Sequence, residues 1–345
     1  MINPILAQIP AHLQNDPTIY RVGMLLFRQR APGIVAHLQE TGAMQSVAST
    51  VLNSTGHLVS EAAFSANPVG AALNVASKGA GVVAVVQNEQ IKKAVDLLQS
   101  LQITNLALTG IGIGVSVISH KLVSDKLNAI QQRLHGMEDK LERISKAIGR
   151  IEERPIWEDL TDLGSEIEKA DDAWLATNAA AQWERCVDRL HTLRGRFLQQ
   201  AIDLSENGEP LTALPFIDAF AMASSNMISC RLAIGDDELA RKLATDFDKR
   251  IRQVASPIGV IEVVNARMRS KDLEPGSSEY IAALEPAQKN AAGEVQLLRE
   301  REAAAQSLPI ILESLKNENI SGRAWLEEAR NETDSPVLML AGDRG

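Results

Sequence analysis

Six histidines, two cysteines and several acidic pairs are the side chains in this sequence that could do chemistry, and their spacing limits what they can do. His12, His37, His57, His120, His135 and His191 include no His-x-x-x-His or His-Glu-x-x-His arrangement, the spacing that sets two imidazoles on one helix face for a metal. Cys186 and Cys230 are too few for a disulfide framework or a four-ligand zinc site, and read as half-buried thiols in helical surroundings. Asp171-Asp172 and Asp236-Asp237 pair carboxylates near expected helix starts, where acids serve as solvated or capping groups rather than as a general acid and base. Gly110-Ile111-Gly112-Ile113-Gly114 approaches a dinucleotide fingerprint, but G-x-G-x-x-G requires glycine at Val115 or Val117. No G-x-x-x-x-G-K-[ST] phosphate loop exists, Ser77-Lys78-Gly79 being a superficial echo. The sequence therefore predicts no enzyme, no metal and no cofactor.

The elements that would position such groups are set by charge. Residues 1–119 hold only 11 of the 79 charged side chains, so this third of the chain seeks an apolar environment. With 45% hydrophobic residues the 345-residue chain can bury a large core, and with 3% aromatics and abundant Ala, Leu, Glu and Arg it favours helix. An all-α protein is expected, built as an elongated helical bundle with a coiled-coil segment and an apolar helical hairpin. The net charge of −9 argues against nucleic acid, since neutralising phosphates requires a clustered Lys and Arg surface. No basic region precedes the first apolar residues, and Pro4 and Pro10 interrupt them, so the N-terminus does not read as a secretory signal and a cytoplasmic location, with membrane association, is expected.

Residues 1–120 read as a charge-poor helical region. Its first part, 11–40, reads as a helix pair broken near Ala31-Pro32-Gly33, and an apolar hairpin spans about 67–119. The hairpin arms are 69–86 and 97–119. The second arm is 23 residues without a formal charge, about 34 Å as a helix and long enough for a hydrocarbon core of about 30 Å, although its strongly apolar part is only 106–118. Val69, Gly70, Gly79, Gly81, Val85, Leu106, Leu108, Gly110, Gly114, Val117 and Ile118 are the candidate membrane-inserting residues. Small residues at these positions let helix backbones approach in lipid, and cost helix stability in water.

Residues 121–155 read as a coiled-coil helix. Leu127, Ile130, Leu134, Met137, Leu141, Ile144, Ile148 and Ile151 repeat at alternating spacings of 3 and 4, flanked by charges of both signs. They are the candidate oligomerisation seam; the same stripe would equally serve packing against another helix of the chain. His120 falls one heptad ahead of Leu127, where protonation would charge a buried seam or merely a frayed end. Pro155 closes the pattern.

Residues 156–330 read as a C-terminal helical bundle: one long amphipathic helix over 157–205, a nearly uncharged central helix over 211–230, helices over 236–254 and 258–269, and a helical stretch over 279–316 broken at Pro309. Residues 331–345 read as a flexible tail. This layout resembles the cytolysin-A-like α-helical pore-forming toxins, in which a hydrophobic hairpin sits between long helices of an all-α body. The resemblance covers about residues 60–205 and is one of arrangement. It implies a protein that oligomerises and inserts its hairpin into a lipid membrane; the chain departs from the secreted members in its shorter helices and lack of an evident export signal, departures that favour action from inside the producing cell. The competing expectation is a soluble coiled-coil scaffold whose C-terminal bundle binds a partner protein.

Overall fold

The computed structural model describes residues 19–22, 25–28, 34–40, most of 127–135, 153–331 except Ser270 and Asp272, and 337–341. Most of this is helix, and the body over 153–331 is all-α. Its elements are α1 (Glu153–Asp172), a 3-10 turn (Ala173–Leu175), α2 (Ala179–Glu206), α3 (Pro210–Ile234), α4 (Asp237–Ala255), α5 (Val260–Arg269), α6 (Ser278–Asn317) and α7 (Gly322–Asn331).

The body is organised around α3, which buries 20 of its 25 residues and has no polar face. A helix apolar all round must be surrounded, and α1, α2, α4, α5 and α7 pack directly on it. This matches the expectation of a central core helix over 211–230. Three of its polar side chains bond to its own backbone: Ser224 Oγ donates to the Phe220 carbonyl at 2.8 Å, Ser225 Oγ to Ala221 at 3.0 Å and Asn226 Nδ2 to Met222 at 2.8 Å. Gly235 ends the helix at φ +96°, a left-handed conformation that glycine adopts without Cβ strain.

The enclosing helices are capped by specific contacts. Ser277 Oγ accepts from the Tyr280 N–H at 3.1 Å and starts α6. The Gly259 N–H donates to Glu262 Oε2 at 3.0 Å at the start of α5. Arg299 Nη2 donates to the carbonyls of Ala255, Ser256 and Ile258, taking up acceptors left over where α4 ends.

Three readings of the sequence are corrected. The stretch over 157–205 is two helices, because the chain turns at 173–178; Trp183 Nε1 donates to the Ala170 carbonyl at 2.9 Å, its ring meets Trp174 edge-on, and the Ala173 side chain is fully buried. Asp171-Asp172 consequently close a helix rather than start one. Pro309 does not break α6, which runs 40 residues, about 60 Å, through Pro286 and Pro309. Proline removes one hydrogen bond, but burial of Leu308, Ile311, Leu312 and Leu315 around it keeps the helix on course.

Residues 19–22, 25–28 and 34–40 are strands and not parts of a helix pair. β1 (Ile19–Val22), β2 (Leu25–Arg28) and β3 (Ile34–Glu40) pair antiparallel, and β4 (Val337–Ala341) joins β3, giving the order β1-β2-β3-β4. β1 and β2 are in register from Ile19 with Arg28 to Val22 with Leu25. The last strand falls within the tail expected to be flexible; Glu40 pairs with Val337 and Ala36 with Ala341.

Helix α7 returns to the end of α3. Its first residue has no room for a side chain: a Cβ on Gly322 would overlap Leu232 Cδ2 and lie 2.7 Å from Asp237 Oδ1. Gly322→Ala is therefore expected to cost about 1–3 kcal/mol through the forced shift of α7, read as a lowered midpoint in urea unfolding with an unchanged slope.

Candidate functional site

All eleven candidate membrane-inserting residues, Val69 to Ile118, lie outside the described residues. So do five of the eight seam residues, Met137, Leu141, Ile144, Ile148 and Ile151. The other three are placed. Leu127, Ile130 and Leu134 are 7%, 4% and 1% exposed and belong to the core cluster of the chain that contains them.

Two contacts fix how this segment meets α1. A Cβ built on Gly164 would lie 3.0 Å from Leu127 Cδ1, and the His135 ring stacks on Trp157 with centroids 4.2 Å apart. As the numbering rises from 127 to 135 it falls from 164 to 157, so the two segments run antiparallel. Helix α1 brings its own seam, since Ile156, Leu160, Leu163 and Ile167 are buried at spacings of 4, 3 and 4. The buried residues of α1 and the three described seam residues thus lie side by side, with Gly164 facing Leu127. Of the two partners open to the stripe, these three residues have the intramolecular one.

A second concentration of unusual chemistry lies along α3. Asp218 is the charged group in the middle of this apolar helix, and it meets Arg301 of α6: Arg301 Nη2 lies 2.8 Å from Oδ1 and 3.0 Å from Oδ2, with side chains 5% and 4% exposed. Two ions removed from water this completely hold the helices in one register, because sliding either helix leaves each charge opposite apolar side chains. One and a half turns further along α3, Arg194 of α2 donates from Nε to Ser224 Oγ at 2.9 Å and from Nη2 to Asp246 Oδ2 of α4 at 2.5 Å. Its guanidinium lies 5.3 Å from the centroid of Phe220. Three helices are thereby tied at one level.

Burial alone would raise the Asp246 pKa, but the hydrogen bond and charge of Arg194, with help from Arg250, outweigh it and hold the carboxyl below its ordinary value of 3.8. These groups bind one another; none presents a nucleophile to a base. Burial pushes the Cys186 thiol up to about 11, with the Glu166 carboxylate adding to the effect, and burial likewise pushes Cys230 up. Both thiols are fully buried rather than half-buried, and thiols so shifted are poor nucleophiles. Asp236 pairs with Arg231 at 3.0 Å, and Asp237 Oδ2 accepts from the Gly322 N–H at 3.2 Å. That acidic pair is structural.

A groove of about 660 Å³ opens between α4 and α6, with Arg241 on one wall and Pro309 and Ile310 on the other. Arg241 is held 2.5 Å from Glu238 and 3.7 Å from Glu313, and Lys316 Nζ lies 3.4 Å from Glu238. The Arg241 hydrogen bond, then its charge, keeps the Glu238 carboxyl below the usual range. Arg241, Glu238 and Glu313 thus neutralise one another within the groove, whose lining also includes Lys242. Among the described residues no group of three or more His, Cys, Asp or Glu side chains is placed to hold a metal ion.

Of the Asp218, Arg301, Arg194 and Asp246 set the sequence marked only Asp218, as an interruption of the nearly uncharged run over 211–230, and named no partner for it. A lone aspartate in a 20-residue apolar run was the available signal for the first; its partner lies 83 positions away.

Removing one member of the central pair strands the other, so Asp218→Ala is expected to cost about 3–5 kcal/mol, whereas Asp218→Leu combined with Arg301→Met recovers most of that stability. Urea unfolding of the single and double variants checks this. A depressed carboxyl stabilises the fold above its unfolded pKa and loses that contribution as the pH falls through the folded value. Stability of the wild type is therefore expected to drop below about pH 4 more steeply than that of Asp246→Asn, measured by thermal melts between pH 6 and 2.

No protein-family model, curated protein or solved structure matches this chain.

Proposed function

We propose that this is a membrane-active helical protein that oligomerises and inserts the apolar hairpin of about 67–119, with pore formation as the outcome. The helical body over 153–331 stays in water, and the reading assigns no enzymatic activity. The observation that carries it is the unequal treatment of two apolar segments. Helix α3 is long and apolar enough to cross a membrane, yet its body encloses it and gives its one central charge a partner. The run over 97–119, 23 residues against 25, carries no formal charge, so it has no ion pair of its own to hold it in a soluble register. Its glycines, Gly110 and Gly114, supply the close helix approach that association in lipid requires. The segment then joins directly to the stripe that begins at Leu127, which couples insertion to self-association.

A soluble scaffold is the second reading, and the burial of Leu127, Ile130 and Leu134 within their own chain favours it. In that case the seam is an internal packing surface, and the groove between α4 and α6 is the concavity a partner protein would meet.

Flotation and dye release from liposomes, using the purified full chain and a version lacking residues 67–119, separate the two. The membrane reading expects the full chain to float and release dye and the shortened chain to do neither. A full chain that stays in the aqueous fraction across lipid mixtures and pH leaves the scaffold reading in place.

A further inference from the structure

We propose that Asn207 is a modification site, whose side-chain amide is lost through attack by the Gly208 backbone nitrogen, and that Arg269 is the contact holding this reaction back in the folded chain.

Asn207-Gly208 is the only asparagine followed by glycine in the sequence, and it lies in the turn between α2 and α3. Glycine matters at the second position because a residue without Cβ leaves its nitrogen unhindered and its backbone free to rotate. Asn207 is exposed to water, the one co-reactant the chemistry needs. The Gly208 nitrogen gives up its proton to hydroxide and bonds to Asn207 Cγ, the bond from Cγ to Nδ2 breaks, and ammonia leaves with a proton taken from water. The five-membered succinimide then takes up water at either of its two carbonyl carbons. One opening leaves an aspartate at 207. The other leaves an isoaspartate, in which the main chain runs through Cβ and Cγ and is one carbon longer.

Contacts around the turn set the rate in the folded protein. With Asn207 at ψ 9° the Gly208 nitrogen eclipses the nitrogen of Asn207, whereas ring closure requires it to eclipse Cβ, so this bond must first rotate. Asn207 Nδ2 donates to the Asp203 carbonyl at 2.6 Å and the Gly208 N–H to the Ser205 carbonyl at 3.1 Å, bonds local to the end of α2 that oppose the rotation. Arg269 supplies the long-range restraint. From the last position of α5, 61 residues further on, its Nη2 donates to the Gly208 carbonyl at 2.6 Å and holds the glycine at φ +74°. Conversion adds a carboxylate beside Asp203, Glu206 and Glu209 at the negative end of α2, and the isoaspartyl form carries the Gly208 carbonyl away from Arg269. The end of α5 is thereby freed from the turn that leads into the core helix.

The full chain, held folded in warm, mildly alkaline buffer and mapped by peptide mass spectrometry over days, tests this. A gain of one mass unit is expected in the peptide containing 207, more slowly in the folded wild type than in the same chain in urea, and not at this position in Asn207→Gln. Folded Arg269→Ala is expected to convert about fivefold faster than the wild type, because losing a hydrogen bond from a charged group shifts the local opening equilibrium by that order. Converted chain, separated by anion exchange, should exchange the amides over 260–269 faster than unconverted chain. Should circular dichroism show Arg269→Ala unfolded, Arg269→Gln, which removes the charge and shortens the reach, is judged on the same rates. No gain at 207 in the folded variant, equal rates in variant and wild type, or a folded wild type as fast as the chain in urea overturns the proposal, as does converted chain whose α5 amides keep their protection.

Discussion

Keeping α3 dry is the constraint on which the rest of the described body depends. A helix with apolar side chains on every side has no face to give to water, so a stable body must supply neighbours all round it. Helices α1, α2, α4, α5 and α7 are those neighbours. Enclosure then creates an electrostatic demand, since Asp218 in the middle of the helix loses its hydration and needs a cation in return. Arg301 meets that demand from α6, and the geometry of the pair sets where along α3 the long helix can sit. Arg194 does the equivalent for α2 and α4 through Ser224, Asp246 and the face of Phe220. Non-directional burial thus gathers the helices, and two directional polar contacts choose their register.

The same logic separates two kinds of apolar segment that look alike by length. α3 carries an internal charge, back-bonded serines and a partner arginine, features that suit permanent burial in protein. The run over 97–119 carries glycines and no formal charge.

Helix α1 stands at the junction of the two parts. It packs against α2 and α3 on the body side, and beside it lie Leu127, Ile130 and Leu134 of the segment that follows the uncharged run. The closeness of Leu127 to Gly164 and the ring stack of His135 on Trp157 fix how that segment lies along α1.

The sequence by itself determined the helical class of the body, the role of 211–230 as its core, and the stripe beginning at Leu127, because each depends on a local period or composition. It also marked most helix boundaries through Asn207-Gly208, Gly235 and Ser256-Pro257. It misjudged residues 19–28, where Ile19, Val22, Leu25 and Leu26 fit a helical stripe as readily as two strands, and the pairing of β3 with β4 joins residues almost 300 positions apart. Tertiary structure alone decided which arginine answers Asp218, which helix covers Leu127, and that Pro309 could be carried through a continuous α6. The physical reason is common to all three. A periodic pattern states which face of an element avoids water, but the partner that covers that face is chosen by shape and charge brought together only on folding.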